Sequence, residues 1–134
     1  MNSMLRQVHA YLAWGFVASL VIQVFLAGQA IPQLGGNGSF ATHRDFGYLI
    51  GLLTLLVLLA AIAARAGRGR IGQAAGLLVL YVIQSSLPYM DPQLPFAAAL
   101  HPVNALVMFG LGVVYARAVW RERGGAAVAA TASA

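Results

Sequence analysis

The chain has 134 residues, of which 60% are hydrophobic and 8% charged, against the roughly 25% charged residues of a soluble domain. So little charge excludes a water-coated globular surface, and the absence of cysteine excludes disulfides, thiolate metal centres, iron–sulfur clusters and covalent c-type haem attachment. The formal net charge is +5 at pH 7, but the arginines sit at the ends of apolar runs, which favours lipid headgroups over nucleic acid as their anionic partner.

Four apolar runs each approach the roughly 20 residues that span a bilayer. They cover 8–31, 46–64, 71–88 and 96–120, with charged residues only at or near their ends. Backbone groups in hydrocarbon have no water to bond, so each run must be helical. The first run ends in the small residues Ala27-Gly28-Gln29-Ala30, as a signal peptide does. Its apolar stretch exceeds the roughly 7–15 residues of a signal core, so it reads as a retained helix. The segment 32–42 contains Gly35-Gly36-Asn37-Gly38 and predicts a flexible loop. The 65–70 connection is short, so the second and third helices should be antiparallel neighbours. Met90-Asp91-Pro92-Gln93-Leu94-Pro95 predicts a loop stiffened by its prolines. Residues 1–123 then form one transmembrane domain, and a disordered tail is expected over 124–134. The fold class predicted is all-α, a transmembrane four-helix up-down bundle. Arg6, Arg65, Arg68, Arg70, Arg117, Arg121 and Arg123 fall on one face of such a bundle and Arg44 alone on the other. That imbalance predicts a multi-pass protein of the cytoplasmic membrane with both termini cytoplasmic.

The two halves of the chain echo each other. Val21-Ile22-Gln23 recurs as Val82-Ile83-Gln84, and Pro32-Gln33-Leu34 recurs as Pro92-Gln93-Leu94. His43 follows the first set and His101 the second. The pattern predicts a two-hairpin internal repeat, related by an axis along the membrane normal. It also puts one histidine of each half at the outer face, on helices two and four, at depths about 3 Å or about 9 Å apart depending on which inner Arg ends helix four.

Helices two and four lie diagonally in an up-down bundle, roughly 11–14 Å apart on neighbouring-axis spacings of roughly 8–10 Å. That leaves room for a flat cofactor between facing imidazoles, and haem takes histidine as an axial ligand. Gly47 and Gly51 follow His43 on one stripe of helix two, and Ala105 and Gly112 follow His101, with Met108 between them. Small residues there would clear space beside a haem; close helix packing is the plainer use of the same spacing. Arg44 could pair with a haem propionate or with Asp45 at the surface. Gln23 and Gln84 lie deep in helices one and three, where polar groups face the bundle interior. They could bond each other, a ligand histidine or a substrate, and interhelical bonding is the plainer expectation for them and for Asn104. His9 stands at the opposite end, beside Arg6, and reads as an interfacial histidine without a partner ligand. Three acids are too few for a zinc or di-iron centre.

Thr42-His43-Arg44-Asp45-Phe46-Gly47-Tyr48-Leu49-Ile50-Gly51 resembles the His-Arg motif on the second helix of either half of the haem A synthase fold. Leu100-His101 matches the other ligand position. The resemblance implies a four-helix bundle with a haem between these histidines. The Glu that precedes the motif in the synthase is replaced here by Phe40-Ala41-Thr42, and the loop cysteines of many synthases are missing, so synthase activity is not expected. The chain is also similar to small four-helix proteins, largely actinobacterial and of unassigned function. The shared runs are Gln23–Gly28, His43–Gly47, Gln84–Pro88 and His101–Ala105.

The expected function is that of a membrane b-type haem protein, serving electron transfer, haem carriage or sensing. Its cofactor-binding residues would be His43, His101, Arg44, Gly47, Gly51, Ala105, Gln23 and Gln84, with His43 and His101 on the iron. A cofactor-free structural or assembly subunit is the alternative. The bilayer is the first partner; a quinone, a membrane redox partner or a second copy of the chain is compatible with either reading.

Overall fold

A computed structural model describes residues 3–90 and 94–131, with side chains described for 3–90, 94 and 96–123. Among the described residues there are four α-helices: α1 (Ser3–Ala30), α2 (Ala41–Ala63), α3 (Gly67–Ser86) and α4 (Pro95–Thr131). Short 3-10 turns follow α1 and α3, at Pro32–Leu34 and Leu87–Tyr89. Each of the four contains a segment long and apolar enough to cross a membrane. The chain is a multi-pass membrane protein in that sense.

The helices start earlier than the apolar runs. α1 has 28 residues, about 42 Å at 1.5 Å per residue, against a hydrocarbon core of about 30 Å. Hydropathy marks only what sits in hydrocarbon. Backbone hydrogen bonding continues through polar residues, so α3 takes in Arg68 and Arg70 and α2 takes in His43 to Asp45. α4 likewise runs on to Thr131, past Trp120. The helix thereby takes in residues 124–131 of the tail for which disorder was expected. The physical reason is its alanines, the strongest helix formers. The last three residues of that tail, and Asp91 to Gln93 of the proline loop, lie outside the described residues.

α1 packs on α2 and α4, and α3 packs on the same two. Among the described residues no Cα of α1 comes within 8 Å of one in α3, nor any of α2 within 8 Å of one in α4. The four therefore form a ring with α2 and α4 at opposite corners. The core is small-sided: Ala10, Ala13, Phe16, Val17 and Leu20 of α1 meet Ile50, Val57 and Ala61 of α2, Ala74 and Leu77 of α3, and Met108, Tyr115, Ala116 and Val119 of α4. Alanines let backbones approach where lipid supplies no hydrophobic drive. Leu52, Leu55, Leu56, Leu59 and Ile62 of α2 face outward.

The buried positions of the two halves correspond. Ala13 and Phe16 precede Gln23 by 10 and 7 residues, as Ala74 and Leu77 precede Gln84. Ile50, Val57 and Ala61 follow His43 by 7, 14 and 18, as Met108, Tyr115 and Val119 follow His101.

The glycine-rich segment after α1 is a hydrogen-bonded cap, where a flexible loop was expected. Gly35 takes φ +86° and Gly38 φ +79°. Gly36 N–H donates to Ile31 O at 3.0 Å and Gly38 N–H to Ala30 O at 3.0 Å. These bonds use carbonyls that the end of a helix leaves open. A Cβ on Gly36 would collide with the backbone of Gln29, Ala30 and Ile31. Backbone cannot swing aside as a side chain can, so Gly36→Ala is expected to cost about 1–3 kcal/mol. A lowered Tm of the purified variant in detergent checks this.

Candidate haem site

His43 is the third residue of α2, and His101 lies in the second turn of α4. The diagonal corners bring their rings together at one end of the bundle, with centroids 6.1 Å apart and planes at 62°. Each ring is held by the helix preceding it. His43 Nδ1 donates to Gln23 O at 3.1 Å, and His101 Nδ1 donates to Gln84 O at 2.9 Å. A backbone carbonyl can only accept, so in both rings the proton is on Nδ1. In neutral imidazole that leaves the lone pair on Nε2. Both Gln23 and Gln84 therefore serve through their main chains, a role that side-chain reasoning alone does not reveal.

The two glutamine side chains differ. Gln23 Nε2 donates to His43 O at 2.7 Å and lies 3.3 Å from His43 Nε2. Its Oε1 is buried without a hydrogen-bond partner. Gln84 Oε1 instead accepts from Asn104 Nδ2 at 2.8 Å, and the same amide donates to Leu80 O at 3.0 Å. Asn104 thus ties α4 to α3, the interhelical role expected of it. Gln23 bonds His43, one of the roles expected of it.

A cavity of about 1120 Å³ surrounds the histidines. His43, His101, Arg44, Gly47, Ala105, Gln23 and Gln84 all line it, together with Ile50, Tyr81, Met108 and Phe109. Its size is that of a site for a large organic ligand. Gly51 is not part of this wall. The ring of Tyr81 fills the space beside it, and any Cβ there would overlap that ring. Gly51 is therefore a packing glycine, as the common use of the spacing suggests. Tyr81 Oη donates to Gly47 O at 3.0 Å, which fixes α3 against α2. Tyr81 was missed in the sequence; its one signal is that it precedes Gln84 by three residues, on the same face of α3. A Cβ on Gly47 would stand 3.2 Å from Gln23 Nε2, so this glycine admits the amide that braces His43.

Arg44 lines the cavity, and its Nε donates to Asp45 Oδ1 at 3.2 Å with both side chains more than half exposed. So exposed a pair contributes at most about 1 kcal/mol and yields readily to a better anion. His9, expected at the interface, is buried within the bundle, 2% exposed, with Nε2 2.6 Å from Tyr115 Oη. Tyr115 is on α4, 106 residues away in sequence. Among the described residues no three of His, Cys, Asp and Glu gather as they would to hold a metal ion by themselves.

A family model described as a family of unknown function (DUF6220) matches residues 23–89, which is 67 of the 134 residues, or half of the chain. The match runs from Gln23 through His43 and Gln84 to Tyr89 and stops short of His101. No curated protein and no solved structure matches the chain.

Proposed function

The chain belongs to DUF6220, a family of unknown function, and within it we propose that this protein is a membrane b-type haem protein with His43 and His101 as axial ligands. The single observation that carries the reading is the pair of imidazoles, each with Nδ1 bound to a backbone carbonyl and its Nε2 left as a donor, at a centroid separation of 6.1 Å. Two imidazoles so placed would hold one haem iron between them. Direct edge-to-face contact is compatible with the same separation. The carbonyl anchors favour ligation, since metal-binding histidines characteristically donate their other N–H to such a partner.

The remaining residues fit. Gly47 and Ala105 keep the cavity wall low beside each histidine. Arg44 would exchange Asp45 for a haem carboxylate at the cavity's rim. Gln23 would give up its long 3.3 Å contact to His43 Nε2 and keep the 2.7 Å bond to His43 O. Haem would supply a reversible one-electron couple. Occupation of both axial positions leaves no open coordination site, so electron transfer, haem carriage or sensing follows more naturally than oxygen chemistry. The matched hydrogen bonds and burial intervals support reading the two hairpins as copies of one unit. Of the two glutamines, Gln23 alone keeps a buried acceptor unpartnered among the described residues, so a quinol hydroxyl or other donor would be received there.

The alternative is a cofactor-free structural or assembly subunit, favoured by the fact that both histidines already tie helix to helix. An absorption spectrum separates the two. The haem reading expects a Soret band and, on reduction, the sharp α and β bands of low-spin six-coordinate haem b. Protein that stays colourless when haem is supplied would leave the structural reading. For orientation we propose cytoplasmic termini in the inner membrane, on the seven-to-one Arg count. A reporter fused after Arg123 is expected to be active in the cytoplasm, and a tag at Gly36 to be reachable from outside. The reverse result would invert the placement of the haem site.

A further inference from the structure

His43 and His101 are anchored alike at Nδ1, but their Nε2 atoms meet different surroundings. Because His43 Nδ1 donates to Gln23 O at 3.1 Å, Nε2 carries the lone pair of the ring. The side chain of the same Gln23 reaches that atom, with its own Nε2 3.3 Å away. One N–H of this amide donates to His43 O at 2.7 Å, which fixes the nitrogen as the end turned toward the histidine. The second N–H is available to the imidazole lone pair. In the other half the counterpart amide is engaged elsewhere. Gln84 Oε1 accepts from Asn104 Nδ2 at 2.8 Å, and Gln84 meets His101 through the main chain, where His101 Nδ1 donates to Gln84 O at 2.9 Å.

We propose that Gln23 makes His43 the exchangeable member of the ligand pair, so that a neutral diatomic gas displaces His43 from ferrous haem while His101 stays bound. The proposal rests on the haem reading of this cavity. Iron and the Gln23 amide compete for one lone pair, that of His43 Nε2. An imidazole released from iron inside a cavity leaves its lone pair without a partner, and an unpaired buried acceptor is costly. Gln23 removes that cost for His43 with a donor already in place. The Gln84 amide is tied to Asn104 instead.

Other features suit an amide that yields to iron and then returns. Gln23 Oε1 is buried without a hydrogen-bond partner among the described residues, so no bond on that side resists a shift of the amide. Gly47 supplies the space, since a Cβ there would stand 3.2 Å from Gln23 Nε2. The bond to His43 O tethers the amide and keeps it beside the ring. Ile50, Met108 and Phe109 in the cavity wall are apolar, which suits a small neutral ligand better than a charged one. Of the roles open to a bis-His haem, an exchangeable ligand on one face selects the sensing of a gas.

The test uses the full chain in detergent, loaded with haem, reduced and titrated with carbon monoxide, with the Soret shift as readout. The parent is expected to bind the gas. Gln23→Leu removes the amide at similar volume and is expected to need about fivefold more gas for half-saturation, the effect of one hydrogen bond of ordinary net strength. Simple loosening of α2 would act with the opposite sign, by making His43 easier to displace. Gly47→Ala, which presses on the amide, is expected to shift the titration in the same direction as Gln23→Leu and by less. Tyr115→Phe, which loses a hydrogen bond away from this cavity, is expected to titrate as the parent does. Before haem is added, diethyl pyrocarbonate, which acylates a free imidazole nitrogen, should modify His43 faster in Gln23→Leu than in the parent, with His101 unchanged. A chain that takes up no haem would overturn the haem reading and this proposal with it. A loaded parent that excludes carbon monoxide, easier or unchanged binding in Gln23→Leu, or unchanged reactivity of His43 would overturn the proposal alone and leave the bis-His assignment standing.

Discussion

Replacing either His43 or His101 by Ala is expected to abolish the low-spin spectrum of the haem-loaded protein. If the two clamp one iron from opposite faces, each is required for six-coordination. The single variants should lose haem or retain a five-coordinate, high-spin site that binds carbon monoxide. The double variant should bind none. The two halves are anchored alike, through Gln23 O and Gln84 O, so the two single variants should behave alike. Gly47→Leu tests the same site without touching a ligand. Its side chain would press on Gln23 Nε2, which a Cβ alone already approaches to 3.2 Å. The expected result is reduced haem loading with ligands intact. Normal spectra in both His43→Ala and His101→Ala would sink the assignment.

His9→Ala is expected to have the opposite profile: a large loss of stability with an unchanged haem spectrum. His9 is 2% exposed, with Nε2 2.6 Å from Tyr115 Oη. Truncation leaves a cavity and strands the Tyr115 hydroxyl, also buried at 2% exposure. A cavity and an unpaired buried polar group together cost about 3–5 kcal/mol. Tyr115→Phe strands His9 without opening a cavity, so it should cost less, about 1–3 kcal/mol. Unfolding in detergent measures both. The spectrum should persist because His9 lines a separate, smaller cavity, with Arg65 and Glu122, that neither His43 nor His101 borders. Loss of haem in His9→Ala alone, with His43→Ala normal, would place the site at the wrong end.

The membrane-spanning architecture could be read directly from residues. Four runs without interior charge have no alternative to helices in hydrocarbon, and helices joined in series by short connections return His43 and His101 to one end. The pairing of Gln23 with His43 and of Gln84 with His101 was implicit in the repeated order of those residues. Tertiary structure decided which face of each helix turns inward. In a soluble bundle an apolar stripe reveals that face. Here lipid is as apolar as the core, so Leu52 and Leu55 outside and Val57 inside look the same along the chain. That is why the contact of Gly51 with Tyr81, and the burial of His9 against a tyrosine on α4, could not be read along the chain. The helix ends and the Gly35–Gly38 cap were hidden for a related reason. Hydropathy registers contact with lipid, whereas backbone hydrogen bonds and positive φ angles set where a helix stops.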